Sequence, residues 1–349
     1  MDFGVFIPIA NNGWLISENA PQYMPTFDLN KRVVQEAERQ GFAFALSMVK
    51  LRGFGGKTEF WDHALESFTL MAGLAACTER IKLYASTAVL TLPPAVVARM
   101  ATTIDQIAPG RFGINIVSGW ASGESPRWGC GPGTSTSATA TTTPASTSRS
   151  CATSGRPAAV ISTGSSSTWR TACSRPGPRR RSTSCAGQSE RGMRFCAEYG
   201  DYNFILSPGI NDPEVYREPT EKLAAAAAES GRDVGSLPLF MAIMADTDEE
   251  AQARWASYHA GADLGALGYM ADEGSKDANA AEGGTAKTIN LPDGAVNFNM
   301  ATLVGSYETV ARQIDQVATM KGVEGMMFTF DDFEVGTRDF GEKVMPLLG

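Results

Sequence analysis

The residues best suited to chemistry cluster in one stretch, Leu46 to His63, reading LSMVKLRGFGGKTEFWDH. It combines the cations Lys50 and Arg52 near its start with glycines at 53, 55 and 56 and the aromatic faces of Phe54, Phe60 and Trp61. Glycine admits close backbone approach and flat apolar rings pack against planar ligands, so the combination suits a bound ring or phosphate. The alternative is a long strand-to-helix connection that holds no ligand. GGKT at 55–58 evokes a phosphate loop, but GxxxxGK[ST] with its Lys at 57 requires Gly at 51, where Leu51 stands. Six cysteines (77, 130, 151, 173, 185, 196) show no metal-ligand spacing, and the two histidines, His63 and His259, read as surface or packing residues. A zinc or non-haem iron site is therefore not expected.

These residues need elements to position them. Residues 42–48 form a short apolar run after Gly41, as expected of a strand buried on both faces of a parallel sheet, so Val49, Lys50 and Arg52 fall just past its carboxyl end. That end lines the ligand crevice in such folds. The same rhythm recurs. Strands are expected at 3–9, 81–90, 112–118, 184–187, 202–206, 237–245 and 325–330. Helices are expected from Thr26 to a Gly41 cap, over 64–77, 95–107, from Ser189 to Tyr199, and over 213–231, 246–268 and 307–320, with a last one ending at Leu348. Eight strand candidates favour a closed (β/α)8 barrel over an open doubly wound sheet. Residues 269–297 are polar and Gly-rich, as in an insertion or lid.

At 349 residues the chain fits one large barrel-type domain or two ordinary ones, and the strand count favours the single barrel. A net charge of -8 argues against nucleic acid and anionic membranes as partners. No apolar run reaches the roughly 18 residues of a spanning helix, and the chain enters a strand at once without a leader, so the cytoplasm is expected.

Residues 125–184 break the pattern. They hold 26 Ser or Thr and eight Arg among 60 residues, with no Lys, Asp, Glu, Leu, Phe, Tyr or Met. Such a segment cannot bury enough apolar area to offset its ordering entropy, so disorder is expected. A structureless insert of this length inside a compact domain is itself anomalous. The composition fits translation out of frame, between an indel near codons 124–128 and a compensating one near 183–185.

Five blocks carry a resemblance: NNGWLISENAPQYMPTF (11–27), FALSMVKLRGFGGKTEFWDH (44–63), TLPPAVVARMATTIDQIAPGRFGINIVSGW (91–120), CAGQSERGM (185–193) and NMATLVGSYETV (299–310). In these blocks the chain closely resembles the bacterial luciferase-like flavin monooxygenases, specifically the branch that opens pyrimidine rings. The resemblance implies a TIM barrel in which reduced FMN and O2 open uracil, and probably thymine, to ureidoacrylate. It implies that a separate NADH-dependent flavin reductase supplies the reduced FMN, and a homo-oligomer is expected. Members of this branch read Met-Gly-x-Trp-Pro-Gly-Asp after the fourth strand, where this chain has Trp128-Gly129-Cys130-Gly131-Pro132-Gly133-Thr134. The codons ATG GGG CTG TGG CCC GGG GAC, read one base later, give the string found here.

The resemblance also assigns residues. Val49, Lys50, Asn115, Glu124 and Ser189 match FMN-contacting positions, and Leu46, Ser86, Asn115 and Trp120 match the wall of the oxygen pocket. Asn115 is an amide in an otherwise apolar strand and can donate to the flavin or to oxygen, or else be a satisfied core amide. Leu46, Ser86 and Trp120 fit barrel packing equally well. Ser189 at a helix N-terminus suits a phosphate. An Arg-Tyr pair of the family is replaced by Ala140 and Thr141, and the out-of-frame segment replaces a helix and most of the fifth strand, which would leave the barrel unable to close. The rival readings are a luciferase-like enzyme acting on another substrate, such as an alkanesulfonate or a different cyclic amide, and a non-catalytic barrel or inactive product of a damaged gene.

Overall fold

The computed structural model describes residues 1–88, 91–117, 183–276 and 296–349. Among the described residues nine parallel strands run in chain order: β1 Asp2–Phe6, β2 Phe44–Ser47, β3 Lys82–Ala88, β4 Phe112–Val117, β5 Thr183–Cys185, β6 Tyr202–Ile205, β7 Gly235–Ala245, β8 Thr302–Ser306 and β9 Gly325–Phe330. Eight close into a barrel, with each of β1 to β6 pairing its successor, β6 pairing β7, β7 pairing β9 and β9 returning to β1. The connecting helices are α1 Phe27–Arg39, α2 Ser67–Ala76, α3 Pro94–Ile107, α4 Glu190–Tyr199, α5 Arg217–Glu229, α6 Asp248–Ala260, α7 Leu264–Ser275, α8 Tyr307–Ala318 and α9 Phe333–Asp339.

Strand alternation sorts the core into an inside and an outside. Phe44, Tyr84 and Phe204 come from three different strands, yet their ring centroids lie 5.9–6.1 Å apart, so they meet inside the barrel. Phe240 and Phe328 face the other way, and Phe328 packs 4.5 Å from Phe340 of the C-terminal segment. Two residues on from the inner ring, Leu46 and Ser86 also point inward. The register Ser86↔Asn115↔Ser184 carries that inward face across β3, β4 and β5.

Most expected elements form. Thr26 caps α1 through its hydroxyl, and Gly41 ends it at φ +87°, where a Cβ would be strained. Four expectations are corrected. The barrel closes despite the foreign composition before it, because Thr183, Ser184 and Cys185 alone pair with both neighbours, β4 and β6. Thr183 thus belongs to β5, and the strand expected at 184–187 runs over Thr183–Cys185. The helix expected over 246–268 is two helices, broken at Gly261, with Asp263 capping the second, so residues 269–275 of the expected insertion are helical. Finally, β8 was not expected: TLVGS is short and contains glycine and polar residues. It lies beside the second half of β7 and is held on its far side by Asn211, whose side chain donates to the Val304 carbonyl (2.9 Å) and accepts from its N–H (2.7 Å) as a strand would.

Candidate active site at the carboxyl mouth of the barrel

A polar arc lines one side of the barrel interior, across β3 to β5. The Nδ2 of Asn115 donates to Ser86 Oγ at 2.9 Å, and Ser184 Oγ donates to Asn115 Oδ1 at 3.3 Å. Behind them, Ser67 of α2 accepts from the Ser86 backbone N–H (2.9 Å) and shares a 2.6 Å hydrogen bond with Ser47. Asn115 is 3% exposed, and one of its two Nδ2–H groups is left without an acceptor among the described residues. An amide held at both ends, with a donor to spare, is built to meet a ligand oxygen. Val49 and Lys50 follow β2 directly at the same rim, and the buried Lys50 ammonium stands 4.3 Å from the Phe54 ring centroid.

The N-terminus of α4 reaches this rim from β5. Two glycines set its approach: a Cβ on Gly187 would lie 2.8 Å from the Gly192 Cα, and one on Gly192 would lie 2.9 Å from the Gly187 Cα. The loop between is fastened to β6, where Gln188 accepts from Leu206 N–H (2.8 Å) and Asn203 donates to the Gly187 carbonyl (3.1 Å). The hydroxyl of Ser189 is already used, accepting from Gly192 N–H at 3.2 Å as the helix cap. An anion at this terminus would therefore be held by backbone N–H groups, those of Glu190 and Arg191, more than by the Ser189 side chain.

Three segments wall the opposite side of the mouth: residues 10–23, 53–63 and 296–300. Asn12 donates to the Thr58 carbonyl (2.7 Å), Asn11 to that of Glu59 (2.9 Å) and Trp61 Nε1 to that of Gly13 (2.6 Å). Aromatic rings fill the space between, with Phe6 on Trp14 (4.3 Å), Trp14 on Trp61 (4.9 Å) and Trp61 on Phe298 (5.2 Å). Phe54, Phe60 and Trp61 are buried in one another, and Phe6 and Trp14 carry the cluster down to the barrel interior. The glycines are also spent internally. A Cβ on Gly53 would strike the backbone of Trp61 and Asp62 at 2.3 Å, and one on Gly56 would strike the Asp263 carboxylate at 2.4 Å. That carboxylate accepts from the Thr58 N–H and hydroxyl (2.7 and 2.8 Å) and from the N–H groups of Gly265 and Ala266. Burial pushes the Asp263 carboxyl up, but these donors outweigh it and hold the pKa below the usual aspartate value. Lys57 of the GGKT string points outward to Glu18 (2.9 Å).

This chain matches the family described as luciferase-like monooxygenase over residues 1–324. The chain belongs to the luciferase-like monooxygenase family. Among its relatives, the pyrimidine monooxygenase RutA of Bradyrhizobium sp. (strain BTAi1) is 56% identical, with the alignment covering 100% of this chain and 97% of that one. RutA of Stutzerimonas stutzeri is 51% identical over 100% and 96% of the two chains. Two solved structures share the fold. Riboflavin lyase RcaE, crystallised with modified FMN and riboflavin, superposes with a TM-score of 0.80 at 19% identity, covering 99% of this chain and 91% of its own. Long-chain alkane monooxygenase LadA gives 0.75 at 16%, covering 99% and 90%.

Against this luciferase-like frame, the structure gathers Val49, Lys50, Ser86, Asn115 and Ser189 at one mouth. Leu46 is in the barrel interior, 1% exposed and paired in register with Tyr84, one layer below Ser86. Trp120, Glu124, Ala140 and Thr141 lie outside the described residues. Ser184, Gln188 and Asp263 went unnoticed in the sequence. Only strand register could have flagged Ser184, and nothing local to residues 50–63 points to Asp263.

Proposed function

We propose that this chain is an FMN-dependent pyrimidine monooxygenase that opens uracil to ureidoacrylate with O2, in the cytoplasm, using reduced FMN from a separate NADH-dependent reductase. The observation that carries the substrate class is full-length identity of 56% to a pyrimidine monooxygenase. The donor set fits the cofactor. A buried amide with a spare N–H, a buried lysine and a pinned helix N-terminus surround one mouth, and they suit a planar ring carrying carbonyl oxygens and a phosphate. Bound FMN would supply the two-electron reduction chemistry toward O2 that the side chains lack.

The protein's part is to bind, orient and keep dry. The N–H groups of Glu190 and Arg191 would take the phosphate, and Lys50 would balance negative charge near the ring. Asn115 would donate from Nδ2, with its orientation already set before any ligand arrives. The wall of Phe6, Trp14, Trp61 and Phe298 would exclude water from the reacting face.

The test is paired. FMN is titrated into the purified chain by fluorescence quenching, and uracil turnover is then compared with that of alkanesulfonates and other cyclic amides. Saturable FMN binding with preference for uracil is expected. Preference for another substrate would replace the pyrimidine assignment, and absence of FMN binding would favour the inactive barrel. We further propose that the codons of residues 125–184, between an indel near codons 124–128 and a compensating one near 183–185, are read out of frame, which resequencing of the gene across codons 118–190 tests.

A further inference from the structure

Asn115 has two faces it could turn to a ligand, a carbonyl or an amide N–H, and rotating its terminal group by half a turn exchanges them. We propose that Ser184 is a positioning residue that biases this choice and turns two donors of the polar arc toward the ligand side. This rests on the function proposed above.

Ser184 faces Asn115 across the β4–β5 ladder, and both side chains are buried, at 0% and 3% exposure. The only hydrogen on Ser184 Oγ finds Asn115 Oδ1 at 3.3 Å, nearer than the Ile114 carbonyl at 3.5 Å. Occupied in this way, Oδ1 is held toward β5, so Nδ2 turns toward β3 and the ligand side. One Nδ2–H then goes to Ser86 Oγ, which leaves the Ser86 hydroxyl hydrogen without an acceptor among the described residues. Ser67 of α2 grips the Ser86 backbone N–H, which holds in place the strand from which this hydroxyl projects. The arc therefore presents two hydrogens side by side, one from Asn115 and one from Ser86. Such a pair stabilises a carbonyl or negatively charged oxygen and repels nothing that it must bind. Without the Ser184 hydroxyl, the flipped amide, with its oxygen toward the Ser86 O–H, becomes comparable in energy and offers the ligand a lone pair where a donor is needed.

The measurement uses Ser184→Ala, the near-isosteric Ser184→Cys, Asn115→Ala and the double variant with Ser184→Ala. In ligand-free protein, the two side-chain amide proton resonances of Asn115, assigned by their loss in Asn115→Ala, should be well separated in the native chain and collapse or double in Ser184→Ala. In turnover, Ser184→Ala should lower kcat about tenfold with KM for uracil changed less than about twofold, the pattern of a lost transition-state contact. Ser184→Cys, a weaker donor, should fall between. Adding Ser184→Ala to Asn115→Ala should cost nothing further, because the two groups act as one. Unchanged amide resonances in Ser184→Ala, or an equal loss of kcat with and without Asn115, would overturn the proposal. If Ser184→Ala does not fold, the Ser184→Cys resonances and kcat decide it. Native protein that ignores uracil would instead defeat the functional reading, while the ligand-free resonances would still report on Ser184.

Discussion

At the scale of single residues, the candidate site turns on groups held before a ligand is present. Asn115→Leu removes the spare donor while keeping the size of the side chain. Turnover is expected to fall on the order of a hundredfold, as for other preorganised donors aimed at developing charge. Steady-state kinetics check this, and loss below about threefold would mean that the amide serves only the core. Lys50→Met is expected to weaken FMN binding about tenfold, the scale of one charge-assisted contact, as read by the fluorescence titration. Asn115 was legible in the sequence because an amide within FGINIV stands out against apolar neighbours. Ser184 was not, because a serine among 26 Ser and Thr carries no signal, and its significance appears only when the β4–β5 register sets it opposite Asn115.

At the scale of elements, two devices hold the mouth in shape. The first is the Gly187–Gly192 contact, where backbone meets backbone and no side chain can yield. Gly192→Ala should cost about 1–3 kcal/mol by overpacking and should also weaken FMN binding, since the helix terminus must move. A calorimetric melt together with the titration separates these effects. The second is Asp263, which ties the glycine-rich loop to α7. Asp263→Asn replaces an acceptor with a donor facing Thr58 and is expected to lower stability by about 1–3 kcal/mol. Because the folded-state pKa is depressed, this carboxylate stabilises the fold fully above the unfolded aspartate value, and its contribution is lost as the pH falls below about 3.8. Melting temperatures of the native chain and Asp263→Asn should therefore converge in acid and separate above it. The repeated strand-and-helix rhythm was readable because apolar runs and caps are local. The purpose of Gly56 was not, because the group it must admit, Asp263, lies about two hundred residues further along the chain. β8 escaped for a similar reason: its pairing comes from Asn211 and β7 rather than from its own five residues.

At the scale of the whole molecule, eight strands bring residues from β2, β3, β4 and the β5–α4 loop to one end of a closed barrel. The opposing wall comes from three segments spread from residue 10 to residue 300. Closure at β5 runs through three residues, so the described half of the site is built from residues outside 125–182. The central claim is that this mouth directs an oxygen atom from O2 into a pyrimidine. It is tested most directly by supplying the purified chain with FMN, NADH, a flavin reductase, uracil and 18O2, and analysing the product by mass spectrometry. The expected result is ureidoacrylate carrying one 18O atom. Uracil recovered unchanged while NADH is consumed, or a ring-opened product without label, would contradict the claim.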